Sequence, residues 1–475
     1  MDNRQKEIFE SDNLWKSIMS MVIPALLAIL VMLVYNLADM VFVGQTGDTA
    51  QVAAVSIVGP VFNLIMAVAM LLSAGGTVII SKDLGAKEEE HAQQISAICI
   101  WGALILGVLS SVMIIGFNRP LLLFLGTTTD TYSYAKTYMV ILAIGAPFLL
   151  ISNMLGQLLR AEGAVKEGLI GNLTGTLVNI ILDPVFILTM GMGVSGAAIA
   201  TVLGNIVATM YYLRYMRKKA IVLNMKLSNA MKNPLLIFSV MALGLPNAVS
   251  TVLSGFANSF ANQLLSKYGS DTIAANAAAG RINQIIVMVL MGICMGAQPL
   301  ISYNYGAGNL KKLSGIMKRI LLFSVVVGTV TTICVIALRS AAIGLFLKDE
   351  AVVALAESII SLLMLSSPFL GFFYLSTNFL QATGRAMGAT VISTLQKGAL
   401  LIPLLFLLES FSGLYGIIYA YIAADFSAVV IASIALVISW IKVKKQLMPK
   451  CRNEKKEQTK GEYGNECYNR YAYRN

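Results

Sequence analysis

Pro147-Phe148, followed by Ala161-Glu162-Gly163, is answered 221 residues later by Pro368-Phe369 and Ala382-Thr383-Gly384. The echo extends in both directions. Ile80-Ser81 and Gly85-Ala86 return as Ile301-Ser302 and Gly306-Ala307 at the same spacing. Pro24 and Asn36 are matched by Pro246 and Asn258 at a spacing of 222, and Gly193, Gly196 and Ala200 by Gly413, Gly416 and Ala420 at 220. A drift of two residues over so long a stretch means two copies of one unit. Paired membrane halves of this kind are a common build of secondary carriers.

Composition places those halves in a bilayer. Apolar residues make up 57% and charged residues 12%, against roughly 45–50% and about 25% in a soluble domain. The mean hydropathy is +0.76. Apolar runs long enough to span a membrane fall near 16–44, 50–80, 93–117, 134–158, 168–190, 194–215, 234–266, 273–302, 319–340, 353–380, 387–408 and 414–441. They are continuous rather than alternating, which selects helices over a barrel. The expected fold is therefore an all-α integral membrane protein of about twelve transmembrane helices. Six spans per copy bring both copies into the membrane the same way up, as parallel repeats. The divisions are a cytoplasmic N-terminus at 1–13, an N-lobe at 14–215, a cytoplasmic linker at 216–233, a C-lobe at 234–441 and a disordered tail at 442–475.

Basic residues give the orientation. With both termini in the cytoplasm, the inner loops hold Lys82, Lys87, Arg160, Lys166, Arg214, Arg217, Lys218, Lys219, Lys226, Lys232, Lys311, Lys312 and Arg385. The outer set is Arg119, Lys136, Lys267, Arg339 and Lys348. Such a bias is the positive-inside rule. It accounts for the net charge of +11 without a nucleic-acid partner. No cleavable signal peptide is expected, because the first apolar run is too long for one. The five cysteines sit in predicted spans or the cytoplasmic tail and read as reduced thiols.

Function must come from polar groups inside the spans, where a charge needs a partner, water or a task. Asp39 and Asp183 both lie in the N-lobe, within about 10 Å of the outer surface at helical rise. Tyr35, Asn36, Asn179, Thr201 and Tyr138 fall at a similar depth, and Asn179 shares a helix face with Asp183. Two such carboxylates could hold a proton, since withdrawal from water and a like-charged neighbour favour the neutral acid. They could equally coordinate Na+ through oxygens, by analogy with other oxygen-rich sites. The residues leave both open. Pro24 by itself reads as a packing kink in the first span.

Asn36-Leu-Ala-Asp39-Met-Val-Phe-Val-Gly44 resembles the first-helix signature of the multidrug and toxic-compound extrusion (MATE) family. Asn179-Ile-Ile-Leu-Asp183-Pro184 resembles its fifth-helix motif, and Arg160-Ala-Glu-Gly163 with Gln381-Ala-Thr-Gly384 its paired loop motifs. The resemblance covers about 14–441. It implies an antiporter with two lobes about a central cavity, exporting organic, cationic or amphipathic compounds in exchange for H+ or Na+. By that resemblance Asp39, Asn179, Asp183, Thr201 and Tyr138 form the cation-coupling site. Pro24 matches a proline at which the first helix bends in some members. Some members also carry carboxylates in the seventh and tenth helices. Here the seventh span has none and the tenth only Glu357, which weighs against a C-lobe cation site of that type.

Tyr35, Asn36, Asn153, Gln157, Asn258 and Asn262 are candidate substrate-cavity residues. Lys397 and Asp425, both near mid-depth of the last two spans, are expected to meet as an ion pair. The single histidine, His91, reads as a solvated loop residue. No phosphate-loop, paired-histidine or nucleophile-elbow motif points to an enzyme, and no cofactor is expected beyond the coupling ion. The expected partners are small organic molecules and the lipid of a plasma membrane, with the chain a monomer. A flippase of lipid-linked saccharides from the same superfamily is the second reading, disfavoured because deep cations are few.

Overall fold

The computed structural model describes residues 8–344, 347 and 349–458, without the side chains of 36–38, 40, 41, 49 and 449–458. Asn36 and the tail from 459 therefore lie outside the described residues. Among those described there are helices and turns and no strand. This is the expected outcome where lipid offers the backbone no hydrogen-bond partner.

The N-lobe helices are α1 (Leu14–Gly44), α2 (Thr49–Ala86), α3 (Glu89–Gly116), α4 (Thr129–Ala161), α5 (Val165–Pro184) and α6 (Val194–Lys219). The C-lobe repeats them as α7 (Leu236–Leu265), α8 (Ser270–Gly306), α9 (Leu310–Gly344) and α10, which is bent by 48° between Glu350–Leu363 and Ser367–Ala382. Next comes α11, which begins as Ala386–Thr394 and passes through a π-turn at Leu395–Ala399. The apolar stretch Ala386–Met448 is 63 residues long. As one helix it would reach about 95 Å, three times the bilayer core. Gly413 breaks it, with φ 58° and ψ −134°, so α11 ends at 412 and α12 runs over 414–458. Twelve spans result among the described residues.

The backbone records the duplication as plainly as the sequence. Left-handed residues recur as Gly47 and Gly269, Lys87 and Gly308, Gly163 and Gly384, and Gly193 and Gly413. Their spacings of 222, 221, 221 and 220 show the same drift as the sequence repeat. Gly193 adopts φ 55° and ψ −134°, nearly identical to Gly413, a conformation open only to glycine. Each copy thus turns between its fifth and sixth spans in the same way.

The lobes meet toward the end of the bundle that carries Lys82, Lys87, Lys311 and Lys312, here called the basic end. A Cβ on Gly75 would collide with the Val240 carbonyl, and one on Gly244 with the Leu71 carbonyl. Gly85 lies against the Tyr303 carbonyl and, reciprocally, Gly306 against that of Lys82. Lys82 and Tyr303 are repeat mates, so α2 and α8 cross about a pseudo-twofold axis with backbone touching backbone, as small residues allow. Beside them Gly292 and Gly296 of α8 receive Leu26, Ile29, Val22 and Ala25 of α1.

Two segments strap this end. Phe9 stacks on Tyr303 at 4.5 Å, and Tyr303 Oη donates to Glu10 (2.9 Å). The inter-lobe connection lies along the N-lobe, where Glu162 accepts the backbone N–H groups of Ile221 (2.8 Å) and Leu223 (3.0 Å). Trp101 Nε1 donates to the Met225 carbonyl (3.2 Å). The stretch from Lys442, expected to be disordered, instead continues α12 as far as Gln458. Val443 and Leu447 are buried in the main core, and this packing carries the helix past the end of the membrane span.

Candidate functional site

The polar cluster of the N-lobe is built by close packing of α5 on α6. Gly175 and Gly204 face each other so closely that a Cβ on either would strike the other's carbonyl. That approach brings Asn179 of α5 to Thr201 of α6, with Asn179 Nδ2 3.4 Å from Thr201 Oγ1. Tyr35 of α1 completes the junction from the other side, its Oη 3.1 Å from the same Thr201 oxygen. Asn205 Nδ2 donates to the Thr201 carbonyl (2.9 Å) and so steadies its helix turn.

Asp183 sits one turn beyond Asn179 and is fully buried. Neither of its carboxylate oxygens has a hydrogen-bond partner, and the same holds for Asp39 Oδ1 and Asn179 Oδ1. Asp39 lies within electrostatic reach of Asp183, Tyr35 and Tyr138. Tyr138 packs in an apolar cluster with Val43, Ala54 and Val58 that closes the cluster from α4. Pro184 and the π-turn Val185–Thr189 follow at once. Proline removes one N–H from the ladder, so the irregular end of α5 adjoins the buried acid.

Three carboxylate oxygens without partners, with the Asn179 amide oxygen beside them, are costly here as bare ionised groups. A proton on one carboxyl, or a small cation among the oxygens, would relieve that cost, which is what such an arrangement can do chemically. The sequence-predicted residues Asp39, Asn179, Asp183, Thr201, Tyr138 and Tyr35 are thus brought together.

The candidate cavity residues are not all brought to one place. Asn258 and Asn262 are exposed on α7 near the end remote from the basic loops, and Tyr421 Oη donates to Asn258 Oδ1 (3.4 Å). Asn153 and Gln157 are half-buried on α4. Asn153 lies fifteen residues past Tyr138, about 22 Å along the helix toward the basic end. The four therefore belong to two levels.

The expected pair of Lys397 with Asp425 does not form. Asp425 accepts instead from Gln396 Nε2 (2.9 Å) and Ser366 Oγ (3.0 Å). The π-turn is the reason. Leu400 N–H bonds the Leu395 carbonyl, and the extra residue per turn rotates Gln396 toward α12 in place of Lys397.

Three further groups escaped the sequence reading. Glu162 clamps the inter-lobe connection; its mate in the second copy is Thr383, a break in the repeat that could have marked it. Ser366 occupies the bend of α10, which nothing in the local pattern announces. His91 is not a solvated loop residue, since its Nδ1 lies 2.6 Å from Asp83 Oδ2 at the start of α3.

Comparison with known proteins agrees with this picture. The MatE family model matches residues 24–185 and again 246–407, one match per lobe. The multidrug export protein MepA of Staphylococcus aureus (strain N315) is 31% identical over 425 residues, covering 90% of this chain and 94% of that protein. MepA of Staphylococcus saprophyticus is likewise 31% identical over the same length. Among solved structures, MATE in complex with MaL6 superposes with a TM-score of 0.88 at 21% identity, covering 94% of this chain and all of that one. An outward-facing multidrug resistance transporter of the same family superposes equally well at 22% identity and the same coverage.

Proposed function

The chain belongs to the MATE family of membrane transporters, and from that premise we propose that it is a secondary active antiporter of organic, cationic or amphipathic compounds. It exchanges them for inward H+ or Na+ by alternating access of its two lobes, across a plasma membrane with both termini cytoplasmic. The substrate class is supported by relatives about a third identical over nine-tenths of the chain that are multidrug exporters.

One observation carries the coupling. Asp183 is buried with both oxygens unpaired, within electrostatic reach of Asp39, on helices that meet at Thr201. Taking up a proton or cation there removes like-charge repulsion between α1 and α5. The first helix can transmit the change, because its outer half bears Tyr35 and Asp39. Its inner half, from Val22 to Ile29, lies on α8 of the opposite lobe. Pro24 falls within that seam. A bound ion shifts the equilibrium between inward and outward states only by its difference in affinity for the two. A change in the bend of α1 near Pro24 supplies that difference.

The test is efflux of a cationic dye from whole cells and from inverted vesicles, with Asp39→Asn and Asp183→Asn followed across pH and sodium. Each variant is expected to lose efflux and its dependence on the ion gradient while still reaching the membrane. Undiminished, gradient-dependent efflux in both would remove the assignment.

A further inference from the structure

A second cluster of ligand-bearing side chains lies at the basic end, far from the coupling site. Asp83 of α2, Glu88 of the connecting turn and His91 of α3 each place one ligand atom within 4.8 Å of the others. Asp83 is 3% exposed, His91 is partly covered and Glu88 faces outward. We propose that these three residues form a divalent-metal site of the Zn2+ type, joining the end of α2 to the start of α3.

The backbone builds the site. Lys87 turns left-handed with φ 62°, and the Glu88 N–H returns to the Asp83 carbonyl (2.8 Å). That closure sets Glu88 beside Asp83. Three residues on, His91 occupies the same face of the opening turn of α3. The donor set is one imidazole nitrogen and two carboxylate oxygens, which suits Zn2+ with three protein ligands and one open position. The metal would replace the hydrogen bond between His91 Nδ1 and Asp83 Oδ2, which now lie 2.6 Å apart. This requires those atoms to part by under about 1 Å, given Zn–N and Zn–O distances near 2.0–2.2 Å. Glu88, exposed and without a fixed neighbour to displace, swings in as third ligand.

The second copy supplies an internal control. At 221 residues' distance the same turn is made with Asn304, Asn309 and Lys312, around a left-handed Gly308 of φ 70°. The Asn309 N–H returns to the Asn304 carbonyl (3.0 Å) just as Glu88 returns to Asp83. There the side chains do other work: Asn309 Oδ1 caps the Lys312 N–H, Asn304 donates to the Leu300 carbonyl, and Lys312 Nζ reaches the N-terminal segment at Asp12 (3.3 Å). The fold of the turn therefore does not call for ligands. Only the N-lobe copy carries two acids and an imidazole, one acid buried at a position where the C-lobe uses a neutral amide. The site also adjoins the lobe crossing, since Lys82 and Gly85 flank Asp83 and pack on Gly306 and Tyr303. A bound metal would stiffen α2 where it meets α8.

The test uses the full chain, purified in detergent with a tag free of histidine and with its accessible cysteines alkylated. It is equilibrated with ZnCl2 by dialysis, and bound zinc is counted by mass spectrometry. The wild type is expected to hold one zinc per chain. His91→Ala and Glu88→Ala are each expected to weaken binding about tenfold or more. A triple variant, Asp83→Asn with Glu88→Asn and His91→Lys, copies the C-lobe turn and should fold, elute as the wild type and bind no zinc. Zinc bound equally by the wild type and the triple variant would overturn the proposal. Loss in His91→Ala with none in Glu88→Ala would overturn the three-ligand site.

Discussion

Thr201 shows how much one side chain can organise. Its hydroxyl is the meeting point of Tyr35 from α1 and Asn179 from α5, so it ties three helices together. Interhelical hydrogen bonds in membranes contribute about 0.6 kcal/mol each. Thr201→Val, which keeps the shape, should therefore cost about 1 kcal/mol of stability yet strongly reduce dye efflux, whereas Thr201→Ser should transport normally. Thermal unfolding in detergent beside an efflux assay separates the two effects. Lys397 gives the opposite expectation. Breaking a buried ion pair costs about 3–5 kcal/mol, but Asp425 is held by Ser366 and Gln396. Lys397→Met should leave the melting temperature nearly unchanged, while Gln396→Leu, which deprives Asp425 of a donor, should lower it.

Among elements, the contact of α5 with α6 decides whether the proposed coupling residues meet at all. Gly204→Ala would drive a methyl group into the Gly175 carbonyl, and overpacking of this sort costs about 1–3 kcal/mol. The expected result is a folded but less stable protein in which Asn179 no longer reaches Thr201, with efflux falling more than surface expression. At the end of α2 remote from the basic loops, Asp48 caps the helix by accepting the Ala50 N–H (2.9 Å). The Tyr134 hydroxyl, with Gln51 and the cap N–H groups, holds the Asp48 carboxyl below the usual carboxylate range. A lowered value means the cap stabilises the folded state above the ordinary carboxylate range near pH 3.9 and is lost as pH falls through the lowered value. The melting difference between wild type and Asp48→Asn should accordingly persist at neutral pH and vanish in strong acid.

For the whole molecule, the proposed alternating access makes the arrangement of the lobes the functional variable. Their close approaches at Gly75, Gly85, Gly244 and Gly306 all gather at the basic end. Alternating access requires these contacts to part and re-form. Gly306→Val should prevent their closure, because the side chain would collide with the Lys82 carbonyl. Efflux should be abolished in this variant. A Val240→Cys reporter, fully buried at the seam as valine, should react faster with a maleimide applied from the basic side than it does with Gly306 intact. Equal labelling in both backgrounds would show that the crossing does not seal that end.

The sequence by itself determined the class, the duplication and most of the N-lobe polar cluster. Lipid leaves an apolar chain of this length only helices to form, and a 221-residue echo fixes how they are grouped. Asp39, Asn179, Asp183 and Thr201 were legible because polar groups stand out in apolar spans and helical rise gives their depth. What only the tertiary structure decided depends on rotation about helix axes and on contacts between distant segments. A single π-turn exchanged Gln396 for Lys397 as the partner of Asp425, a shift invisible to spacing rules that assume 3.6 residues per turn. Packing alone brought Phe9 to Tyr303 and Glu162 to the inter-lobe connection, because these contacts are set by where helix ends converge.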